Sequence, residues 1–240
     1  MNLLDKEILL VDKPAGLSSF AVVARVRRVL TEQMKERAKI LGVTAPKRAK
    51  VGHAGTLDPF ATGLLICLLG SGTKKAGEFL KLDKKYEATI CLGKTSTTGD
   101  IEGEILEYNS LAHLCSPDIP KISQVQKVIE DFRGEITQKV PLFSAVKING
   151  QRAYKLARKG FQVEMPERKV EIYDISVVSY EWPYLKIACH VSSGTYIRAL
   201  GEDIGAALSV GGYLTELRRT QIGKYKVSDA VTLETLGITD

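Results

Sequence analysis

The sequence predicts an α+β domain. Strand-like and helix-like segments mix without a regular strand–helix–strand repeat. Two long strand-like runs, 170–180 and 184–192, meet at the turn Trp182-Pro183, which marks an antiparallel hairpin. No Pro-, Gly- or Ser-rich linker divides the 240 residues, a length sufficient for one large core, so a single domain over 1–240 is expected.

The elements follow in order. Residues 7–11 read as a short buried strand, closed by the turn signal Asp12-Lys13-Pro14-Ala15-Gly16. Ser18 or Ser19 caps a helix whose Val22, Val23, Val26, Val29 and Leu30 recur at helical spacing. The polar stretch 34–50, broken by Gly42 and Pro46, is expected as a loop or a loosely attached helix. Residues 63–69 suit a buried strand, 74–80 a short helix, 86–92 a strand, and 93–103 a turn-rich crossing. Ser123 is expected to cap a helix through about 132, followed by an extended 134–146 interrupted by Pro141 and a short basic helix over 151–158. Residues 195–208 form a helix with Ile197, Leu200, Ile204 and Leu208 on one face. Segments 214–222 and 227–236 close the chain.

Composition excludes several classes. The hydrophobic fraction of 44% and charged fraction of 26% are ordinary for a globular protein. The longest apolar run, Leu64 through Leu69, is far too short for a membrane span, and the start lacks a signal peptide's basic and apolar regions. A cytoplasmic protein is expected. Cysteines at 67, 91, 115 and 189 form no Cys-x-x-Cys pair, which argues against zinc, and their density argues against a disulfide framework. Gly93-Lys94-Thr95 resembles the end of a nucleotide-binding loop, but the glycine required five positions earlier is Ala88. Asp100, Glu102 and Glu104 lack calcium-loop spacing.

The formal net charge of +6 leans toward a polyanionic partner. Its distribution is more telling: Arg25, Arg27, Arg28, Lys35, Arg37, Lys39, Lys47, Arg48 and Lys50 face only Glu32 and Glu36. A solvated helix face is the bland account of such a run.

The stretch 52–63 carries the chemistry. Two glycines allow backbone shapes that other residues resist, and Pro59 keeps Asp58 out of a helix interior, so a rigid loop presenting His53 and Asp58 is expected. On composition alone, a tight turn with Asp58 as a local cap explains it as well.

Several further segments, in order, change that balance. They are the Lys13-Pro14-Ala15-Gly16 opening, Gly52 through Leu65, Lys84-Lys85-Tyr86, Leu92 through Asp100, Val140 through Lys147 with Tyr154 and Arg158, Gly194-Thr195-Tyr196-Ile197-Arg198, and Leu217-Arg218-Arg219. Together, over roughly residues 7–235, they resemble the bacterial tRNA pseudouridine-55 synthase family. The resemblance implies a pseudouridine synthase fold: a mixed, largely antiparallel sheet flanked by helices; as a departure from the family, the additional C-terminal RNA-binding module that many members carry is expected to be missing. It also implies an RNA-gripping insertion near 134–168, while a basic insertion near 34–50 departs from the family.

The implied reaction turns a uridine in the tRNA T-loop into pseudouridine, without cofactor or metal. Asp58 matches the essential aspartate, as a nucleophile toward sugar or base or as a base at the sugar. Arg198 matches the arginine that pairs with it, and Tyr86 the tyrosine that stacks on the flipped base. These are the expected catalytic residues. His53, Tyr196, Leu217, Lys13 and Lys84 match residues expected to contact substrate or RNA. The expected partner is tRNA, through T-loop and stem, with no membrane, no obligate protein partner, and a monomer. The basic 34–50 stretch is expected to add phosphate contacts. A competing reading is a tRNA-folding chaperone that needs the basic surface but not Asp58.

Overall fold

A computed structural model describes residues 1–108, 119–144, 146–148, 150–153, 156 and 164–238 of the chain. Along the chain run β1 (Ile8–Lys13), α1 (Ser19–Leu41), β2 (Val51–His53), β3 (Thr62–Leu69), a 3-10 turn (Gly70–Lys75), α2 (Ala76–Leu80) and β4 (Lys84–Leu92). Then come β5 (Lys94–Ser96), β6 (Ile105–Glu107), α3 (Ile122–Asp131), β7 (Gly134–Lys139), β8 (Lys147–Ile148) and β9 (Gln151–Arg152). The last part holds β10 (Glu167–Glu181), β11 (Tyr184–Val191), α4 (Ile197–Ala207), β12 (Gly212–Ile222) and β13 (Tyr225–Lys226), with 3-10 turns at Val227–Asp229 and Glu234–Leu236. The α+β expectation holds.

Two compact units arise: Met1–Tyr86 with Arg218–Asp240, and Glu87–Leu217. The first is organised around β3. β1 and β2 pair with it antiparallel, and the end of β12 pairs with it in parallel at Arg218↔Thr62 and Arg219↔Gly63. Because side chains alternate along a strand, β3 feeds two cores. Leu65, Cys67 and Leu69 pack with Val22, Val23, Val26 and Leu30 of α1. Leu64, Ile66 and Leu68 pack with Phe79 of α2 and Ile222. Strand β3 therefore reads as a continuous apolar run, since both faces are covered.

In the second unit the strands run in the order β12, β4, β11, β10, β7. β10 pairs antiparallel with both β11 and β7. Buried Ile90, Leu92, Ile172, Ile187, Leu200, Ile204 and Leu214 form its interior. Helix α3 packs against β10.

Several expectations are corrected. Of the loop and the loosely attached helix expected for 34–50, residues 34–41 are helix, but as a continuation of α1, which runs unbroken to Leu41 and stops at Gly42, whose φ of 66° lets its N–H reach the carbonyls of Ala38 and Lys39. Gln33, Met34, Lys35, Glu36 and Ala38 are strong helix formers, and a polar sequence hides that. Ser123 caps nothing. Helix α3 starts after Lys121, whose N–H donates to the Gln124 side chain at 2.7 Å. The 93–103 crossing begins with β5, which pairs with β6 as a small hairpin held by Lys94–Glu107 at 2.8 Å. Gln151 and Arg152 pair with Lys147 and Ile148 as strands rather than opening a helix. The 227–236 segment forms two 3-10 turns. Cys115, Tyr154 and Arg158 lie outside the described residues. Cys67, Cys91 and Cys189 are buried. Among the described residues no helix is long and apolar enough to cross a membrane.

Candidate active site

In the first unit, the loop between β2 and β3 carries Asp58, which is half-buried, and nearly every neighbour of that residue is tied down. Strand β2 delivers the chain to His53, and Ala54 then donates its N–H to the Ile66 carbonyl at 2.9 Å. Arg219, 1% exposed, donates from Nη2 to the Gly55 carbonyl at 3.1 Å, from Nη1 to Thr56 at 3.3 Å and from Nε to Leu64 at 2.8 Å. Ser19, at the start of α1, donates its hydroxyl to the Leu57 carbonyl at 2.9 Å and accepts the Leu57 N–H at 2.8 Å. Lys13 donates to the carbonyls of Pro59 (3.0 Å), Pro14 (2.8 Å) and Leu17 (2.7 Å). Gly16 donates its N–H to Pro59 as well, at 2.9 Å.

The loop is therefore clamped on both sides of Asp58. Hydrogen bonds from charged donors to buried carbonyls contribute about 1.5–3 kcal/mol each, more than neutral ones. A carboxylate on such a loop meets a reactant without having to be ordered first. Gly63 is required by the same packing. Its φ is 100°, and a Cβ there would lie 2.3 Å from the Arg219 carbonyl oxygen.

Lys84 and Tyr86 lie on the same buried face of β4, two residues apart. The Lys84 ammonium donates to the carbonyls of Leu80, at 2.8 Å, and Leu82. Burial, and then the neighbouring Arg219 charge, pull its pKa down to about 8, against a smaller opposing pull from Asp83. Arg218, next to Arg219 but pointing to the other face of β12, grips Asp12 with both terminal nitrogens at 3.1 and 2.7 Å. Of the residues singled out in the sequence, this unit thus holds Lys13, His53, Asp58, Lys84 and Tyr86.

The second unit holds Tyr196, Arg198 and Leu217. Arg198 sits on the first turn of α4 and is 5% exposed. It donates to the carbonyls of Thr98 (2.8 Å) and Phe143 (2.9 Å), and its Nε lies 3.5 Å from Asp100 Oδ2. Asp100 is fixed in turn by the Thr98 hydroxyl at 2.6 Å and the Glu102 N–H at 3.0 Å. Glu202, one turn along α4, has its carboxyl pushed up to about 7, first by burial, with Asp203 and Asp100 adding and Arg198 opposing. Tyr196 exchanges two hydrogen bonds with the buried Gln138 amide, at 3.0 and 3.2 Å, and its ring lies 5.8 Å from the Arg168 guanidinium carbon. Leu217 is buried on β12.

Residue-type reasoning missed Ser19, Arg219, Asp100 and Gln138. Ser19 was visible only as a cap candidate, and Asp100 as part of a failed calcium motif and as the end of the Leu92–Asp100 segment. The pattern of buried charge that marks them depends on contacts far apart in sequence. Among the described residues, no three His, Cys, Asp or Glu side chains gather as a metal-ligand set.

Comparison with known proteins bears on this arrangement. A model described as TruB family pseudouridylate synthase (N terminal domain) matches residues 39–197, and one described as tRNA pseudouridylate synthase B C-terminal domain matches 198–238. A protein of Mycobacterium sp. (strain KMS) named tRNA pseudouridine synthase B is 42% identical over 233 residues, 95% of this chain and 71% of that protein. A protein of the same name from Endomicrobium trichonymphae is 38% identical over 224 residues, 93% of this chain and 88% of that one. A chain in the crystal structure of a Cbf5-Nop10-Gar1 complex superposes with a TM-score of 0.65 at 30% identity. That match covers 95% of the present chain but only 52% of the other, so the chain spans about half the length of that solved relative.

Proposed function

The chain belongs to the TruB family of pseudouridylate synthases, and from that premise we propose that it isomerises the uridine at position 55, in the tRNA T-loop, with Asp58 as the essential carboxylate. The observation that carries the assignment of Asp58 is the clamp around it. Arg219 holds Gly55 and Thr56, Ser19 holds Leu57, and Lys13 holds Pro59, which leaves the Asp58 side chain as the loop's half-exposed acid.

In the reaction the glycosidic carbon–nitrogen bond breaks, the uracil turns over, and C5 bonds to the sugar carbon. C5 then loses its proton, and the freed nitrogen gains one. Atoms and electrons balance, so no cofactor enters. Asp58 acts at the sugar or the base, as nucleophile or base. Tyr86 offers an aromatic face to the extruded uracil, whose unstacking costs a few kcal/mol. We assign Arg198 to supply positive charge during the reaction. His53, Tyr196 and Leu217 contact the RNA around the flipped nucleotide. We assign Lys13 and Lys84 to positioning, because their ammonium groups donate to backbone carbonyls. We assign the reaction to the cytoplasm, where free tRNA is met.

The test is tritium release from tRNA labelled at uridine C5. Wild type is expected to release tritium, and Asp58→Asn to release essentially none while still binding tRNA. Equal release by both proteins would overturn the role of Asp58.

A further inference from the structure

Several exposed cations of this chain pair with carboxylates. Arg37 pairs with Asp5, Lys75 with Glu7, Arg133 with Glu130 and Asp174, and Lys169 with Glu135. One group does not. Arg27, Arg28, Lys35 and Arg48 line a concavity of about 250 Å³ on the outer face of α1. Among the described residues, no carboxylate forms an ion pair with any of the four. Glu32 lines the same concavity without pairing to them.

The group is built rather than accidental. Arg27, Arg28, Thr31 and Lys35 recur on one helix face at three- and four-residue spacing. Thr31 donates its hydroxyl to the Arg27 carbonyl at 2.6 Å and accepts the Ala49 N–H at 3.1 Å. Arg27 donates from Nη2 to the Val51 carbonyl at 2.8 Å. These bonds lay the strap that follows Gly42 back along the helix and fix Arg48 close to Arg27. Burial, and then Arg48, lower the Arg27 pKa, so the two guanidiniums feel each other. Like charges held together by backbone bonds are unfavourable until an anion lies between them. Guanidinium forks suit a phosphate, which each can grip with two N–H groups.

We propose that this concavity is a phosphate-binding site for the RNA backbone, occupied when the enzyme holds its tRNA. The proposal rests on the tRNA reading above. It concerns a region largely ahead of residue 39, where the family match starts. The strap leads directly into β2 and His53, so a phosphate held here would bear on the same loop that presents Asp58. Such a contact adds affinity and orientation without reading sequence.

The experiment measures the affinity of one tRNA transcript against salt for wild type, for the triple variant Arg28→Gln/Lys35→Gln/Arg48→Gln, and for a control triple, Lys81→Gln/Lys121→Gln/Lys127→Gln, at exposed positions elsewhere. Thermal melts confirm that all three are folded. The slope of log K against log salt is expected to fall by about 2 in the first variant and by less than about half a unit in the control. An unchanged slope in the first variant overturns the site, and so does an equal fall in the control, which would mean diffuse charge. Tritium release by wild type on the same transcript separates the two readings. If wild type releases none, the enzymatic assignment fails. If it releases tritium and the slopes agree, only the phosphate site fails.

Discussion

Ser19 and Leu57, 38 positions apart, hold each other twice: the serine hydroxyl accepts the leucine N–H at 2.8 Å and donates to its carbonyl at 2.9 Å. One side chain thereby replaces both backbone partners of the residue just before Asp58. It also joins the first turn of α1 to the loop, so the helix and the carboxylate move as one piece.

Ser19→Ala tests that link. The site is buried, with Ser19 at 2% exposure, so the change leaves the Leu57 N–H and carbonyl without partners at a cost of about 1–3 kcal/mol. A loosened loop is expected to lower kcat on the order of ten- to a hundredfold, with KM for tRNA within about threefold. Single-turnover kinetics and urea unfolding separate the two effects. A loss of stability with kcat unchanged would show that Ser19 supports the fold without positioning Asp58.

Two glycines with left-handed backbone should respond differently to alanine. Gly16 has a φ of 82° and open space around it, so Gly16→Ala is expected to cost only the backbone penalty of about 1–2 kcal/mol. Gly63 has a φ of 100°, and its new Cβ would press on the Arg219 backbone at 2.3 Å. Gly63→Ala is expected to cost more than about 3 kcal/mol, since the overpacking adds to the backbone strain. Urea midpoints at constant m compare the two. Equal losses would mean that β3 and β12 separate freely at this point.

Glu202 gives stability a pH dependence of known sign. Its folded pKa is raised to about 7, above the ordinary glutamate value that holds in the unfolded chain. Between those values the folded protein binds the proton and the unfolded chain does not. This contribution is therefore full below the ordinary value and is lost as pH rises through about 7. Asp203 is raised by burial with the same sign, while Asp100 and Arg198 also face the group. Glu202→Gln is expected to gain stability over wild type at pH 8 and to lose that advantage at pH 4. Urea unfolding at both pH values measures it. A difference between the two proteins that does not change with pH would remove Glu202 from the account.

Much of the first unit could be read locally. β1, β3 and the front of α1 declare themselves through apolar runs and helical spacing. Ser18 is the helix cap, as one of the two serines expected for it. The second half of α1 was illegible for a physical reason. Its residues favour helix by propensity rather than by an apolar stripe, and of the residues beyond Leu30 only Ala38 is buried. The β5–β6 hairpin was hidden because its strands are short and Ile105, Leu106 and Glu107 are exposed, so no burial pattern marks them.

The sequence by itself determined the α+β class, the stiffness of the loop around Asp58 and, through ordered motifs, the family resemblance. These depend on residue type and spacing along the chain, which survive without a fold. Only the tertiary structure decided what keeps that loop in place. Lys13 and Ser19 read as an RNA contact and a cap when taken singly, and Arg219 only as part of the Leu217-Arg218-Arg219 segment. Each becomes a loop clamp once β1, α1 and β12 come together around β3. A buried donor must be satisfied where it ends up, and the carbonyls of Gly55, Thr56, Leu57 and Pro59 are the acceptors that the fold brings to these three side chains.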